Sequence, residues 1–265
     1  MNVVAIIPAR YASMRLPGKP LLNATGKHLI QHVWEQVRAA RCVGRVMIAT
    51  DDERIAAAVR SFGGEAWMTR PEHPSGTDRV AEVARAIGGR DEDIVLNVQG
   101  DEPEIEPAYL DRLVKRLERE ADCPAATLAC PFPPADAQAQ PGAAVPHDPA
   151  DPNCVKVVLN RAGRALYFSR ALIPYPREKE AAGERAGWLL HLGAYAYRRA
   201  FLLELAGWPP SPLEQVERLE QLRVLEHGCG MAVELVERAV AGIDTAADYD
   251  QFVARWRRVA VGSEK

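Results

Sequence analysis

Short apolar runs alternate with helix-like segments through the first part of the chain. Val3-Val4-Ala5-Ile6-Ile7 reads as a buried strand, Arg45 to Thr50 as a second that ends at Asp51-Asp52, and Glu65 to Thr69 as a short third. Asp93-Ile94-Val95-Leu96-Asn97-Val98 has the continuous apolar character of a central strand covered on both faces. Between these runs, Glu53 to Phe62 has helical composition until Gly63-Gly64, and Thr77 to Ile87 until Gly88-Gly89. Alternation at this spacing predicts right-handed βαβ crossovers and a mainly parallel sheet.

The second half is less regular. Pro131 to Pro152 holds seven prolines and reads as a surface loop. Val155 to Leu159 and Arg164 to Phe168 flank the turn Asn160-Arg161-Ala162-Gly163, which predicts a hairpin able to add antiparallel strands. Leu213, Val216, Leu219, Leu222 and Leu225 recur every third residue, which predicts one helix with a single apolar face ending near Gly228. Glu220 and Gln221 lie off that stripe, open to polar work or plain solvation.

Composition narrows the class without deciding function. A chain of 265 residues with 48% hydrophobic content can bury one large core, so a single α/β domain is expected over residues 1–265. A net charge of −3 argues against a nucleic-acid binder, whose surface would be broadly basic. Five cysteines without a C-x-x-C pair suggest reduced thiols in a cytoplasmic protein, with neither a disulfide framework nor a zinc site. No stretch approaches membrane-spanning length, and a membrane partner is not expected.

Candidate chemistry gathers at strand ends. Asp101 follows the central strand in Asn97-Val98-Gln99-Gly100-Asp101-Glu102-Pro103, where ligands of open α/β sheets bind, although an acid there can equally cap a helix or close a turn. The first strand opens into Pro8-Ala9-Arg10 through Arg15-Leu16-Pro17-Gly18-Lys19-Pro20. Its three cations could wrap a polyphosphate or simply form a solvated basic loop. It is not a Walker A loop, since Ser13 and Pro20 stand where glycine and a hydroxyl residue are needed, and no dinucleotide glycine fingerprint follows the strand. Asp244 follows a further predicted strand, Met231 to Val236, and could be the N-cap of a helix starting near Thr245-Ala246.

The first loop is similar to the signature of sugar nucleotidyltransferases that activate acids with CTP. His73-Pro74-Ser75-Gly76-Thr77-Asp78-Arg79, Asn97 to Pro103, Ala165-Leu166-Tyr167-Phe168-Ser169-Arg170, His191-Leu192-Gly193-Ala194-Tyr195, Leu219-Glu220-Gln221-Leu222-Arg223 and Gly242-Ile243-Asp244-Thr245 narrow it. In order over nearly the whole chain, they closely resemble the 3-deoxy-manno-octulosonate (Kdo) cytidylyltransferase family.

The resemblance implies a three-layer, doubly wound α/β fold with a mainly parallel sheet and an inserted antiparallel hairpin region, of the nucleotide-diphospho-sugar transferase type. It also implies a homodimer, with residues 153–210 contributing a dimerisation and sugar-binding subregion. The implied reaction transfers the cytidylyl group of CTP to the anomeric hydroxyl of Kdo for lipopolysaccharide biosynthesis. Arg10 and Lys19, joined by Arg15, take the phosphates, with Pro8 and Ala9 beside them, and Ser75, Gly76 and Arg79 take cytosine and ribose. Gln99 serves both substrates, and Arg170, His191, Tyr195, Glu220 and Gln221 contact the sugar acid. Asp101 and Asp244 hold Mg2+, which suits the repulsion between a triphosphate and an anionic acid. From the residues alone, Ser75 or Thr77 could be a helix cap, Arg79 a surface residue, and His191 and Tyr195 ordinary strand packing. An 8-amino Kdo analogue, a sialic acid, and a regulatory module that only binds nucleotide stay open as alternatives. Ala246-Ala247-Asp248 departs from the family pattern, in which a proline and an acid often follow the threonine.

Overall fold

The strand and helix alternation of the first half is realised with boundaries shifted by one or two residues. The computed structural model describes residues 1–12, 15–132, 148–177, 187–239 and 242–262. Contacts divide the chain into two units, one of Asn2–Gly88, Asn97–Ala108 and Val240–Lys265, the other of Gly89–Leu96 and Tyr109–Ala239 with Met1.

In the first unit, β1 (Val3–Ala9), β2 (Arg45–Thr50) and β3 (Glu65–Met68) pair in parallel, with Ile6 opposite Met47 and Ile7 opposite Ile48. Crossovers carry α1 (Leu29–Ala39) and α2 (Glu53–Ser61), and α3 (Gly76–Ala86) follows β3. Ile6, Ile7, Met47, Ile48, Val33, Ile55 and Val80 are fully buried, each such side chain stabilising the fold by roughly 1.5–3 kcal/mol. α2 and α3 start on side-chain caps: Asp52 accepts from Arg54 N at 2.9 Å, and Ser75 from Asp78 N at 3.1 Å.

The second unit holds most of β4 (Ile94–Asn97), α4 (Pro107–Arg119), β5 (Ala125–Pro131), β6 (Lys156–Leu159), β7 (Ala165–Ser169) and β8 (Leu189–Arg198). It continues through α5 (Arg199–Leu205), α6 (Pro212–Glu217), α7 (Gln221–Glu226) and β9 (Met231–Leu235). The predicted hairpin is present as β6 and β7, and antiparallel pairing extends beyond it, since β8 runs antiparallel to both β5 and β6. β5 and β9 pair in parallel there, so this unit is mixed. The subregion expected over 153–210 lies in this unit, with residues 178–186 outside the described residues. Of the expected surface loop, residues 133–147 also lie outside them.

The single helix expected over Leu213 to Leu225 is instead two. Arg218 adopts φ 56° and ends α6, and α7 restarts at Gln221. A repeat of three drifts around a 3.6-residue helix, so one continuous helix could not keep all five apolar residues on one face. The break leaves Val216 82% exposed while Leu219 and Leu222 are buried. Of the two readings of Gln221, plain solvation is ruled out, since the residue is 3% exposed.

The chain ends in α8 (Ala246–Gly262), back in the first unit. Thr245 Oγ1 accepts from Asp248 N at 3.2 Å, and Asp248 Oδ2 accepts from Thr245 N at 2.8 Å. This reciprocal box makes Thr245 the cap, so Asp244 is not it, and Asp248 supplies the partner acid.

Candidate functional site

The first loop of the first unit is tied down at its base. Gly18 N donates to Tyr11 O at 3.0 Å, and the Arg54 guanidinium lies 3.4 Å from the centre of the Tyr11 ring. Gly18 has φ +69°, and a Cβ there would stand 3.2 Å from that ring, which accounts for glycine at this turn. Arg10 Nη2 donates to the carbonyl of His73 at 2.9 Å, and the His73 ring is bonded to the Glu82 carboxylate on α3. Asp101 is brought beside the loop by Gly100, where a Cβ would sit 2.8 Å from the carbonyl of Pro8. No other residue fits there.

Lys19 is a bridge and not a freely solvated side chain. Its Nζ lies 2.8 Å from Asp101 Oδ2, 2.7 Å from the carbonyl of Ile243 and 3.6 Å from Asp244 Oδ1, and the side chain is 13% exposed. Arg15 Nη2 reaches Asp244 Oδ1 at 3.0 Å, and Ile243 N donates to Asp101 O at 2.8 Å. Two acids far apart in sequence are therefore held together by one cation and one backbone bond.

These groups line a cleft of about 310 Å³, a size suited to a small-molecule ligand. Pro8, Ala9, Arg10, Arg15, Lys19, Gly76, Gln99, Asp101 and Asp244, all expected from the sequence, form its wall together with Ala12, Pro20 and Gly100. Those three were missed; Pro20 and Gly100 adjoin expected residues and Ala12 lies in the loop between Arg10 and Arg15, which was the available signal. Three cations against two carboxylates leave a formal excess of one positive charge (3 − 2 = 1) in that wall. Ser75 and Arg79 stand outside it. Ser75 caps α3, as its alternative reading allowed, and Arg79 is fully buried with Nη2 2.9 Å from Asp51 Oδ2 and Nη1 on Thr69 Oγ1. The surface reading of Arg79 is thereby overturned: its guanidinium ties α3 to the residues that follow β2 and β3.

The acid-sugar candidates other than Gln99 belong to the second unit. The pairing of β5 with β8 shifts register between Thr127 and Leu128, with Thr127 opposite Tyr195 and Leu128 opposite Leu192. Gly193 and Ala194 form the resulting bulge. In a regular strand, residues four apart stand about 13 Å apart along its axis. Here the rings of His191 and Tyr195 are centred 5.5 Å apart, the bulge having re-aimed them. Thr127 Oγ1 donates to Ala194 O at 2.9 Å, so its contact with His191 Nε2, also 2.9 Å, is assigned as His191 donating. Nδ1 is then a lone-pair acceptor. Thr127 was missed, though a lone hydroxyl in the apolar run Ala125-Ala126-Thr127-Leu128 was its signal.

Tyr195 Oη donates to Gln221 Oε1 at 3.3 Å, and Gln221 Nε2 is a buried donor without a hydrogen-bond partner. An unmet amide donor beside a tyrosine and a histidine acceptor suits a hydroxylated ligand. Glu220 is half-buried at the start of α7, and Arg170 follows β7.

Desolvation pushes His191 down to about 3 and, in the first unit, His32 down to about 4. Both folded values lie below the unfolded one near 6.5. Stability contributed by the neutral rings is therefore complete above about pH 6.5 and is lost progressively as pH falls toward the folded values. Thermal melts from pH 7.5 to 4.5 are expected to show a falling Tm that flattens in His191→Gln; identical slopes in the two proteins contradict the assignment.

The family described as Cytidylyltransferase matches residues 4–236. The 3-deoxy-manno-octulosonate cytidylyltransferase of Syntrophobacter fumaroxidans is 48% identical over 263 residues, covering 99% of this chain and 100% of the relative. That of Syntrophotalea carbinolica is 45% identical over 262 residues, covering 97% and 99%. A solved CMP:2-keto-3-deoxy-manno-octonic acid synthetase complexed with CTP superposes with a TM-score of 0.85 at 42% identity, covering 97% of this chain and 99% of that one.

Proposed function

This chain belongs to the 3-deoxy-manno-octulosonate cytidylyltransferase family, and on that premise we propose that it transfers the cytidylyl group of CTP to the anomeric hydroxyl of Kdo. The hydroxyl oxygen gives up its proton to solvent and bonds to the α-phosphorus, the bond to the bridging oxygen breaks, and pyrophosphate leaves. The observation that carries this reading is the convergence of Arg10, Arg15, Lys19, Asp101 and Asp244 on one cleft. The cations offset triphosphate charge, which is the main obstacle to approach by an anionic acid. Support for the acid sugar comes from the cluster of His191, Tyr195 and Gln221, whose unmet donor and lone-pair acceptor match a polyol.

Asp101 and Asp244 would hold magnesium. Two hard carboxylates in one cleft fit an ion that takes few protein ligands and leaves positions for phosphate oxygens. When bound, the ion supplies charge neutralisation at the phosphates. Lys19 and Arg15 orient the two carboxylates meanwhile, and Arg10 keeps its direction through the carbonyl of His73.

The same reading places the protein in the cytoplasm, supplying lipopolysaccharide biosynthesis, as a homodimer. Free cysteines at all five positions accord with a reducing compartment, and no described helix is long and apolar enough to cross a membrane. Leu166 on β7 at 59% and Val216 at 82% exposure are apolar surface for a second copy to cover.

The test is pyrophosphate release from CTP and magnesium with a panel of acid sugars. Turnover is expected with Kdo, with CTP preferred over ATP and GTP, and with activity lost on chelation and restored by magnesium. Preference for 8-amino Kdo or a sialic acid would reassign the acid, and full turnover in a chelator would remove the metal.

A further inference from the structure

Arg170 is fixed at four atoms by residues with no assigned part in binding. Its N–H donates to Glu217 Oε2 at 2.9 Å, while Ser169 Oγ donates to Glu217 Oε1 at 2.5 Å. Its Nε donates to the carbonyl of Glu217 at 2.7 Å and its Nη1 to that of Pro152 at 3.0 Å. Its own carbonyl accepts from Lys156 Nζ at 2.6 Å. Lys156 is fully buried, and its other bonds also go to backbone carbonyls, those of Asp151 at 3.0 Å and Cys154 at 2.5 Å.

Two features make this more than a surface hydrogen-bond cluster. Among the described residues, none of the ion pairs within 4.0 Å includes Arg170. A guanidinium already paired with a carboxylate is neutralised before an anion arrives. One held by carbonyl dipoles keeps its charge and has its direction preset. Arg218, next to Glu217, is also the one non-glycine residue with positive φ among the described residues, a conformation costly to any side chain with a Cβ. That turn ends α6, where the terminal Glu217 carbonyl has no helical partner and takes the Arg170 Nε–H instead.

We propose that Glu217, backed by Lys156, is the positioning residue that presents Arg170 to the carboxylate of the acidic substrate. This rests on the functional reading above, in which Arg170 contacts the acid sugar. Glu217 touches only Arg170 and Ser169 in this role and acts through the guanidinium it aims.

Glu217→Gln keeps size but replaces one of the two acceptor oxygens shared by Arg170 N and Ser169 Oγ. It is expected to raise KM for the acid sugar about five- to tenfold, with kcat and KM for CTP changed less than about twofold. Arg170→Met sets the scale, with an expected rise of about 10²-fold in the same constant. If Arg170→Met raises KM for the acid while Glu217→Gln leaves it unchanged, the positioning role is overturned and the functional reading stands. A Glu217→Gln protein in which kcat, both KM values and Tm deteriorate together overturns it too, as a merely structural role. An unchanged KM in Arg170→Met removes Arg170 from the substrate, and the inference falls with that part of the reading. Should Glu217→Gln fail to fold, Glu217→Asp, which keeps both oxygens on a shorter stem, carries the same KM split.

Discussion

Lys19→Met is expected to lower kcat/KM by about 10²- to 10³-fold, the scale of removing a preorganised charge from a phosphoryl-transfer site. Lys19 Nζ touches Asp101 Oδ2 at 2.8 Å and the Ile243 carbonyl at 2.7 Å, and Asp244 Oδ1 lies 3.6 Å away. Without the ammonium, two carboxylates lining one cleft repel, and the turn before Asp244 keeps only the Ile243 N–H bond of its two ties to Asp101. On the proposed reading, the substitution removes phosphate neutralisation and the local order of the acids together. The bridge implies a lowered Tm as well, with Lys19→Arg recovering part of it. Arg10→Met is expected to cost less in stability, because among the described residues Arg10 anchors to the carbonyl of His73 alone. Steady-state kinetics with CTP varied, alongside thermal melts, check both. Unchanged kinetics in Lys19→Met would leave Lys19 a structural bridge with no part in catalysis.

What the sequence made legible follows the range of the interactions involved. The strand that opens into the cationic loop, the acid after Gly100 and the β6–β7 hairpin are local patterns, and they lie within a residue or two of where they were expected. Arg79 was illegible as a buried cation because its partners, Thr69 and Asp51, are distant in sequence, and Lys156 because it is held by the backbone carbonyls of Asp151, Cys154 and Arg170, which any residue type could supply. The bulge at Gly193 is equally non-local, since it exists only through pairing with Thr127 on another strand. The break at Arg218 defeated the periodicity argument for a different reason. Apolar spacing reports burial, and a residue with a Cβ in the left-handed region carries no signal of its own in one sequence. Asp248 shows the reverse case: Thr-x-x-Asp was readable as a box, yet it drew notice only as a departure from the family pattern.

Asp101→Asn and Asp244→Asn are each expected to lower kcat by about 10²-fold or more, while CTP affinity weakens less because Arg10 and Arg15 stay in the cleft wall. Asparagine preserves size and hydrogen-bonding capacity but removes the charge that magnesium requires. An asparagine at 244 cannot be tolerated on the ground that it caps a helix as well as aspartate, since Thr245 is the cap and Asp248 its partner. A second role does need separating, because both acids also neighbour Lys19. If a carboxylate holds the metal, its asparagine variant should need a higher magnesium concentration for half-maximal rate and regain part of its turnover when magnesium is raised. If it serves only to place Lys19, added magnesium restores nothing, and the variant resembles Lys19→Met in Tm as well as in rate. Mn2+ binding followed by electron paramagnetic resonance gives a readout independent of turnover, with weaker binding expected in both variants. Near-normal turnover and unchanged Mn2+ affinity in Asp244→Asn would take that residue off the metal and leave Asp101 as its protein carboxylate.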